Sequence, residues 1–190
     1  MNLPNKLTVS RFLLTGIFLV AFFSNAPLTD SLALVVFIVA SLTDYYDGTI
    51  ARQNKLITNF GILMDPLADK IMICSAFIAF VDRQLMPGWM VVIIVARELA
   101  ITGLRLLAAS KHLVLGAEGY GKHKTISQIV AIISIMVSIS YPEWGAWADT
   151  LLSSWVPPLA EISKWVAVGL TLMSGGVYLW RNRALYLSDL

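Results

Sequence analysis

Charge is what this sequence has least of. Only 14% of its 190 residues are Asp, Glu, Lys or Arg, against about 25% in a soluble domain. With 57% hydrophobic residues and a mean hydropathy of +0.74, one soluble domain of this length would leave broad apolar patches in water. Disorder and nucleic-acid binding both draw on dense charge, and a net charge of +2 excludes them. Cysteine is scarcer still. Cys74 stands alone, which removes an intrachain disulfide framework and any cysteine-based metal site. The two histidines, His112 and His123, lie too far apart for a metal motif and read as loop residues. There is no internal repeat and no low-complexity tract. What the chain has in quantity is long apolar runs, and they predict an all-α, multipass membrane protein.

A spanning helix needs about 20 mostly apolar residues. Six such runs are predicted, at 7–24, 30–52, 60–81, 88–110, 124–141 and 159–181, forming a single domain over 1–190. The breaks are turn-like: Asn25-Ala26-Pro27, Gln53-Asn54-Lys55, Met86-Pro87-Gly88 and the glycine-rich stretch 116–121. Basic residues gather on one side: Lys6, Arg11, Arg52, Lys55, Lys111, Lys122, Lys124, Arg181 and Arg183, with Arg83 and Lys164 on the other. That bias places both termini in the cytoplasm. Trp144, Trp147 and Trp155 fall in an opposite-side connection, as an interfacial aromatic belt would. The start of the chain allows two further readings. Lys6 and Arg11 before an apolar run resemble a signal peptide, with Asn25-Ala26-Pro27 a poor cleavage site. Alternatively, 5–11 forms a short interfacial helix.

Acids inside spans are costly, so each is a candidate functional residue. Asp44 and Asp47 are spaced i, i+3 in the second run, and Asp65 and Asp69 are spaced i, i+4 in the third. Each pair therefore shares a helix face. The short connection 53–59 predicts antiparallel neighbours that bring all four carboxylates to the cytoplasmic side. Four such charges repel one another unless cations lie between them. An oxygen-only donor set favours hard ions such as Mg²⁺, Mn²⁺ or Ca²⁺. The competing reading is structural pairing of these acids with Arg52, Lys70, Arg97 or Arg105.

Residues 44–69 spell Asp-x2-Asp-Gly-x2-Ala-Arg-x8-Gly-x3-Asp-x3-Asp. In this the chain resembles the CDP-alcohol phosphatidyltransferase family at every fixed position. Asn2-Leu3-Pro4-Asn5-Lys6-Leu7-Thr8 with Arg11, Ala96-Arg97-Glu98, Gly103-Leu104-Arg105 and Gly121-Lys122-His123-Lys124-Thr125 are similar to its bacterial branch that uses glycerol 3-phosphate. The matching segments end near Gln128; beyond it only hydrophobicity is shared.

The resemblance implies the fold of that family, with CDP-diacylglycerol as donor and an alcohol displacing CMP. It implies Mg²⁺ or Mn²⁺, as two ions, held by Asp44, Asp47, Asp65 and Asp69, with Asp69 also the general base. Asp44, Gly48, Ala51, Arg52 and Gly61 are expected around the nucleotide lipid: glycine and alanine make space, and Arg52 reaches phosphate oxygens. The resemblance also implies a homodimer.

For the acceptor, Arg97, Glu98, Thr102 and Arg105 share one helix face, and Glu98 is the expected buried partner of Arg97. Lys122, Lys124 and Thr125 sit where the fifth helix is expected to begin, an anion-favouring position. Arg97, Arg105, Lys122, Lys124 and Thr125 are thus the expected acceptor-phosphate residues, and glycerol 3-phosphate the favoured acceptor. A bacterial cytoplasmic membrane, with the site on its cytoplasmic face, suits a lipid donor and a water-soluble acceptor. Phosphatidylglycerol, inositol phosphate or serine remain alternative acceptors within the family. A cation or proton transporter is the reading from another class, and it predicts acids spread through the membrane's depth.

Overall fold

Each predicted run forms one long helix. The computed structural model describes the backbone over 3–24, 26–54, 59–111, 113 and 120–187, and side chains over 9–24, 26–43, 70–111, 113 and 123–186. The long helices are α1 (Leu3–Phe23), α2 (Thr29–Asn54), α3 (Asn59–Asp82), α4 (Gly88–Ser110), α5 (Tyr120–Ser140) and α7 (Val156–Arg181). A 3-10 turn at Tyr141–Trp144 and the short α6 (Ala146–Leu152) join α5 to α7, and α8 (Arg183–Leu187) follows. No strand occurs among the described residues.

Three boundaries differ from expectation. α5 begins at Tyr120 rather than 124, because Gly121 is accommodated in the first turn instead of breaking it. α7 begins at Val156 rather than 159, with Pro157 and Pro158 inside its first turn. A proline there forfeits only an N–H that has no helical acceptor. Residues 5–11 belong to α1 itself and form no separate helix. Gly145, at φ +93°, makes the left-handed corner between the 3-10 turn and α6.

The expected pairing of α2 with α3 at the 53–59 connection falls on residues whose side chains lie outside the described ones. The described halves of the two helices meet mainly through α1, which packs on both. Phenyl rings explain the spacing: Phe18 of α1 lies 5.9 Å from Phe37 of α2, and Phe22 lies 5.6 Å from Phe80 of α3. Large aromatic groups thus form a wedge between the two helices. Small residues do the opposite between α5 and α7. There Ala131, Ala160 and Ala167 are buried and the Ser134 and Ser163 hydroxyls meet at 2.6 Å, so the backbones approach closely.

The end of the bundle away from the 53–59 connection is tied by polar contacts. Arg83 donates to both oxygens of Asp30, at 2.5 and 3.0 Å, and lies over the Phe22 ring. The hydrogen bond to Asp30 is the main influence holding Arg83 above its ordinary pKa, against desolvation that lowers it. Trp144 donates to Ser31, whose backbone N–H donates to Glu143 at 2.9 Å. Trp144 is therefore a half-buried tie to α2, whereas Trp147 and Trp155 face outward.

The outer surface is apolar, with Leu13, Val20, Val92, Leu99, Ile162 and Leu172 all exposed. Among the described residues, His123–Trp144 and Val156–Arg181 are long and apolar enough to cross a membrane, while Val9–Phe23 and Thr29–Thr43 are shorter apolar stretches. Arg97, Glu98 and Arg105 put three charges into α4.

Candidate active site

The backbone places Asp44 and Asp47 in α2 and Asp65 and Asp69 in α3. Residues 55–58 alone separate the end of α2 from the start of α3 along the chain. Asp44 and Asp69 each stand about ten residues, or about 15 Å, from those ends. The two pairs thus occupy similar depths on their helices. The side chains of Asp44, Asp47, Gly48, Ala51, Arg52, Gly61, Asp65 and Asp69 lie outside the described residues, as does that of Lys122; His112 is outside altogether.

Immediately after Asp69 a polar cluster begins that joins four helices. Lys70 of α3 donates to the Thr102 hydroxyl of α4. Thr102 in turn donates to the Glu98 carbonyl at 2.7 Å, one turn back. Glu98 is buried and pairs with Lys124 of α5, and Arg97 reaches the same Glu98 oxygen at 3.2 Å. The expected Arg97–Glu98 partnership is therefore present. Two cations thus share one carboxylate, and Lys70 reaches the same turn of α4 through Thr102. Arg97 and Lys124 are both donors that a bound anion can share with Glu98.

Lys124 departs from expectation in its surroundings. It is only 4% exposed and lies one turn inside α5, so it is a core residue and no longer counts as a connection charge. Its backbone N–H, like that of Thr125, lies beyond the first four free donors of the helix, which weakens the helix-terminus argument for both. Thr125 is half-buried on the same helix. Arg11, also counted among the connection charges, is buried within α1. Arg105 lies two turns beyond Glu98 and is exposed. It donates through Nε to the Tyr178 hydroxyl at 3.4 Å and lies 5.7 Å from that ring's centre. The structure brings Arg97 and Lys124 together and leaves Arg105 at the edge of the cluster.

Sequence reasoning assigned nothing to α7, yet α7 closes this cluster. Arg97 donates to Ser174 at 3.5 Å, Gln128 donates to Thr171 at 3.2 Å, and Tyr178 supports Arg105. Thr171, Ser174, Gly175 and Tyr178 recur at i, i+3, i+4 and i+7, one buried face of an otherwise apolar helix. That stripe of small and polar residues was the available signal.

Helices with apolar outer faces closed around a charged interior belong to a membrane protein with an internal polar site. The CDP-alcohol phosphatidyltransferase family pattern matches residues 1–173, well past Gln128 and into α7, and the chain belongs to that family. It is 37% identical to a CDP-diacylglycerol–glycerol-3-phosphate 3-phosphatidyltransferase of Bacillus subtilis, over 95% of each chain. A Rickettsia bellii protein of the same name is 32% identical over 93% of each. A probable phosphatidylglycerophosphate synthase of Mycobacterium tuberculosis is 38% identical over 74% of this chain and 68% of its own.

Proposed function

We propose that this protein transfers the phosphatidyl group of CDP-diacylglycerol to glycerol 3-phosphate, forming phosphatidylglycerophosphate and releasing CMP. The observation that carries the acceptor is the buried Arg97–Glu98–Lys124 cluster, which begins one residue past Asp69 through Lys70. Serine and uncharged polyols bring no phosphate for these donors to hold. The full-length relatives that share the enzyme name support the same acceptor.

In this reading the acceptor hydroxyl attacks the phosphorus that carries the diacylglycerol. A new P–O bond forms as the bond to CMP breaks, and Asp69 takes the hydroxyl proton. Arg97, Lys124, Lys122, Thr125 and Arg105 hold the acceptor phosphate. Gly48, Ala51 and Gly61 leave room for the nucleotide lipid, and Arg52 with Asp44 contacts its polar part. The donor set of Asp44, Asp47, Asp65 and Asp69 is carboxylate only, and its pairs stand at similar depths on α2 and α3, which fits hard divalent ions. Two Mg²⁺ or Mn²⁺ ions held there would neutralise pyrophosphate charge and stabilise the attacking and leaving oxygens.

The six long helices serve as six spans of one domain. α4 is tolerated in lipid because Arg97 and Glu98 turn inward and pair. Setting aside buried Arg11 and Lys124, the connections still carry many more basic residues on the side of the 53–59 connection than opposite. The termini and site accordingly lie on the cytoplasmic face of a bacterial inner membrane, in a homodimer.

The test is purified protein given CDP-diacylglycerol and a panel of acceptors, with products weighed by mass spectrometry. Phosphatidylglycerophosphate is the expected product, and turnover confined to serine, inositol phosphate or phosphatidylglycerol overturns the acceptor. EDTA is expected to abolish CMP release and added Mg²⁺ or Mn²⁺ to restore it. Undiminished turnover in EDTA would end the metal assignment.

A further inference from the structure

Gly175 is buried on α7 against the stem of Arg97. A Cβ built at this position would come 2.8 Å from Arg97 Cγ and 3.8 Å from both Arg97 Cβ and Nε. Carbon atoms do not approach to 2.8 Å, and Cγ lies too near the backbone to be moved by the far end of a flexible chain. It yields only if Arg97 leaves its χ1 rotamer or α4 and α7 move apart. Either movement takes the guanidinium from Glu98 at 3.2 Å and from Ser174 at 3.5 Å. Ser174 immediately precedes Gly175, so one turn of α7 supplies both the space for the stem and an acceptor for the head.

The other described glycines of α7 set the contrast. A Cβ at Gly169 or Gly176 meets nothing within 4 Å. Glycine is a poorer helix former than alanine, so what singles out position 175 is this contact.

We propose that Gly175 is a positioning residue for the acceptor: lacking a side chain, it lets Arg97 lie against α7 and fixes where its guanidinium points. This rests on the reading of Arg97 as an acceptor-phosphate residue. It gives the last long helix a part in choosing a phosphorylated acceptor.

The test uses the full-length enzyme as wild type, Gly175→Ala, Gly176→Ala, Arg97→Ala and the Arg97→Ala/Gly175→Ala double variant. Loss of one charge-assisted hydrogen bond corresponds to a change of about tenfold or more. Gly175→Ala is expected to raise KM for glycerol 3-phosphate by that factor, with KM for CDP-diacylglycerol within about twofold. Gly176→Ala is expected to match wild type. In the Arg97→Ala background the clashing Cγ is gone, so Gly175→Ala is expected to add nothing. If Arg97→Ala is too slow to assay, the cycle is read in melting temperature: Gly175→Ala lowers it only when Arg97 is present. Equal rises in both KM values, or a Gly175→Ala effect that persists without Arg97, make Gly175 a packing residue and overturn the proposal. The wild-type arm keeps the two readings apart. A wild type that ignores glycerol 3-phosphate overturns the acceptor assignment and this proposal with it. A normal wild type with an additive cycle overturns Gly175 alone.

Discussion

Asp69→Asn is expected to lower CMP release by about a thousandfold, in the middle of the range that loss of a general base costs, while CDP-diacylglycerol still binds. Asparagine keeps the size of the side chain and one oxygen donor but cannot accept the acceptor's proton. Asp69 lies in α3 directly before Lys70, whose bond to Thr102 ties this part of α3 to the cationic cluster on α4 and α5. The acceptor phosphate held by that cluster would therefore lie close along the chain to the carboxylate that takes the hydroxyl proton. The check is a direct comparison of CMP release and nucleotide-lipid binding on the same purified variant. Near-normal turnover would remove Asp69 as the base. Lost turnover together with lost lipid binding would make it a donor-site residue instead.

What was legible in the sequence followed from local chemistry. Apolar run length located all six long helices, because that pattern is carried by the run itself. Spacing alone marked Asp44, Asp47, Asp65 and Asp69 as candidates, and the backbone keeps them helical. Partnerships were read less well. Lys124 looked like a topogenic charge until Glu98, 26 residues earlier, took it into the core. The wedge of Phe18 and Phe22 between α2 and α3 depends on three helices and has no local signature. Thr171, Ser174 and Gly175 carry no charge, so their stripe on an apolar helix gained a meaning only once Arg97 and Gln128 were seen against it. Gly121 and the Pro157-Pro158 pair misled for a simpler reason: residues that break a helix interior are tolerated in its first turn.

Glu98→Gln is the second large expected effect, and it falls on stability first. Glu98 is the carboxylate shared by Arg97 and Lys124, and Lys124 is almost wholly buried. Glutamine preserves the shape but takes from both cations the carboxylate they share. Breaking a buried ion pair from one side costs about 3–5 kcal/mol, which for a chain of this size lowers the melting temperature by about 10 °C. Glu161→Gln is the matched control: it also removes a lysine-paired carboxylate, but Glu161 is 57% exposed, so little change is expected. KM for glycerol 3-phosphate distinguishes two roles for Glu98. If it anchors Arg97 and Lys124 in their binding positions, KM rises along with the loss of stability. If it competes with the acceptor phosphate for them, KM falls. The anchoring outcome is expected, because Arg97 is also set by Ser174 and Gly175, an arrangement that serves one fixed guanidinium position better than a mobile one.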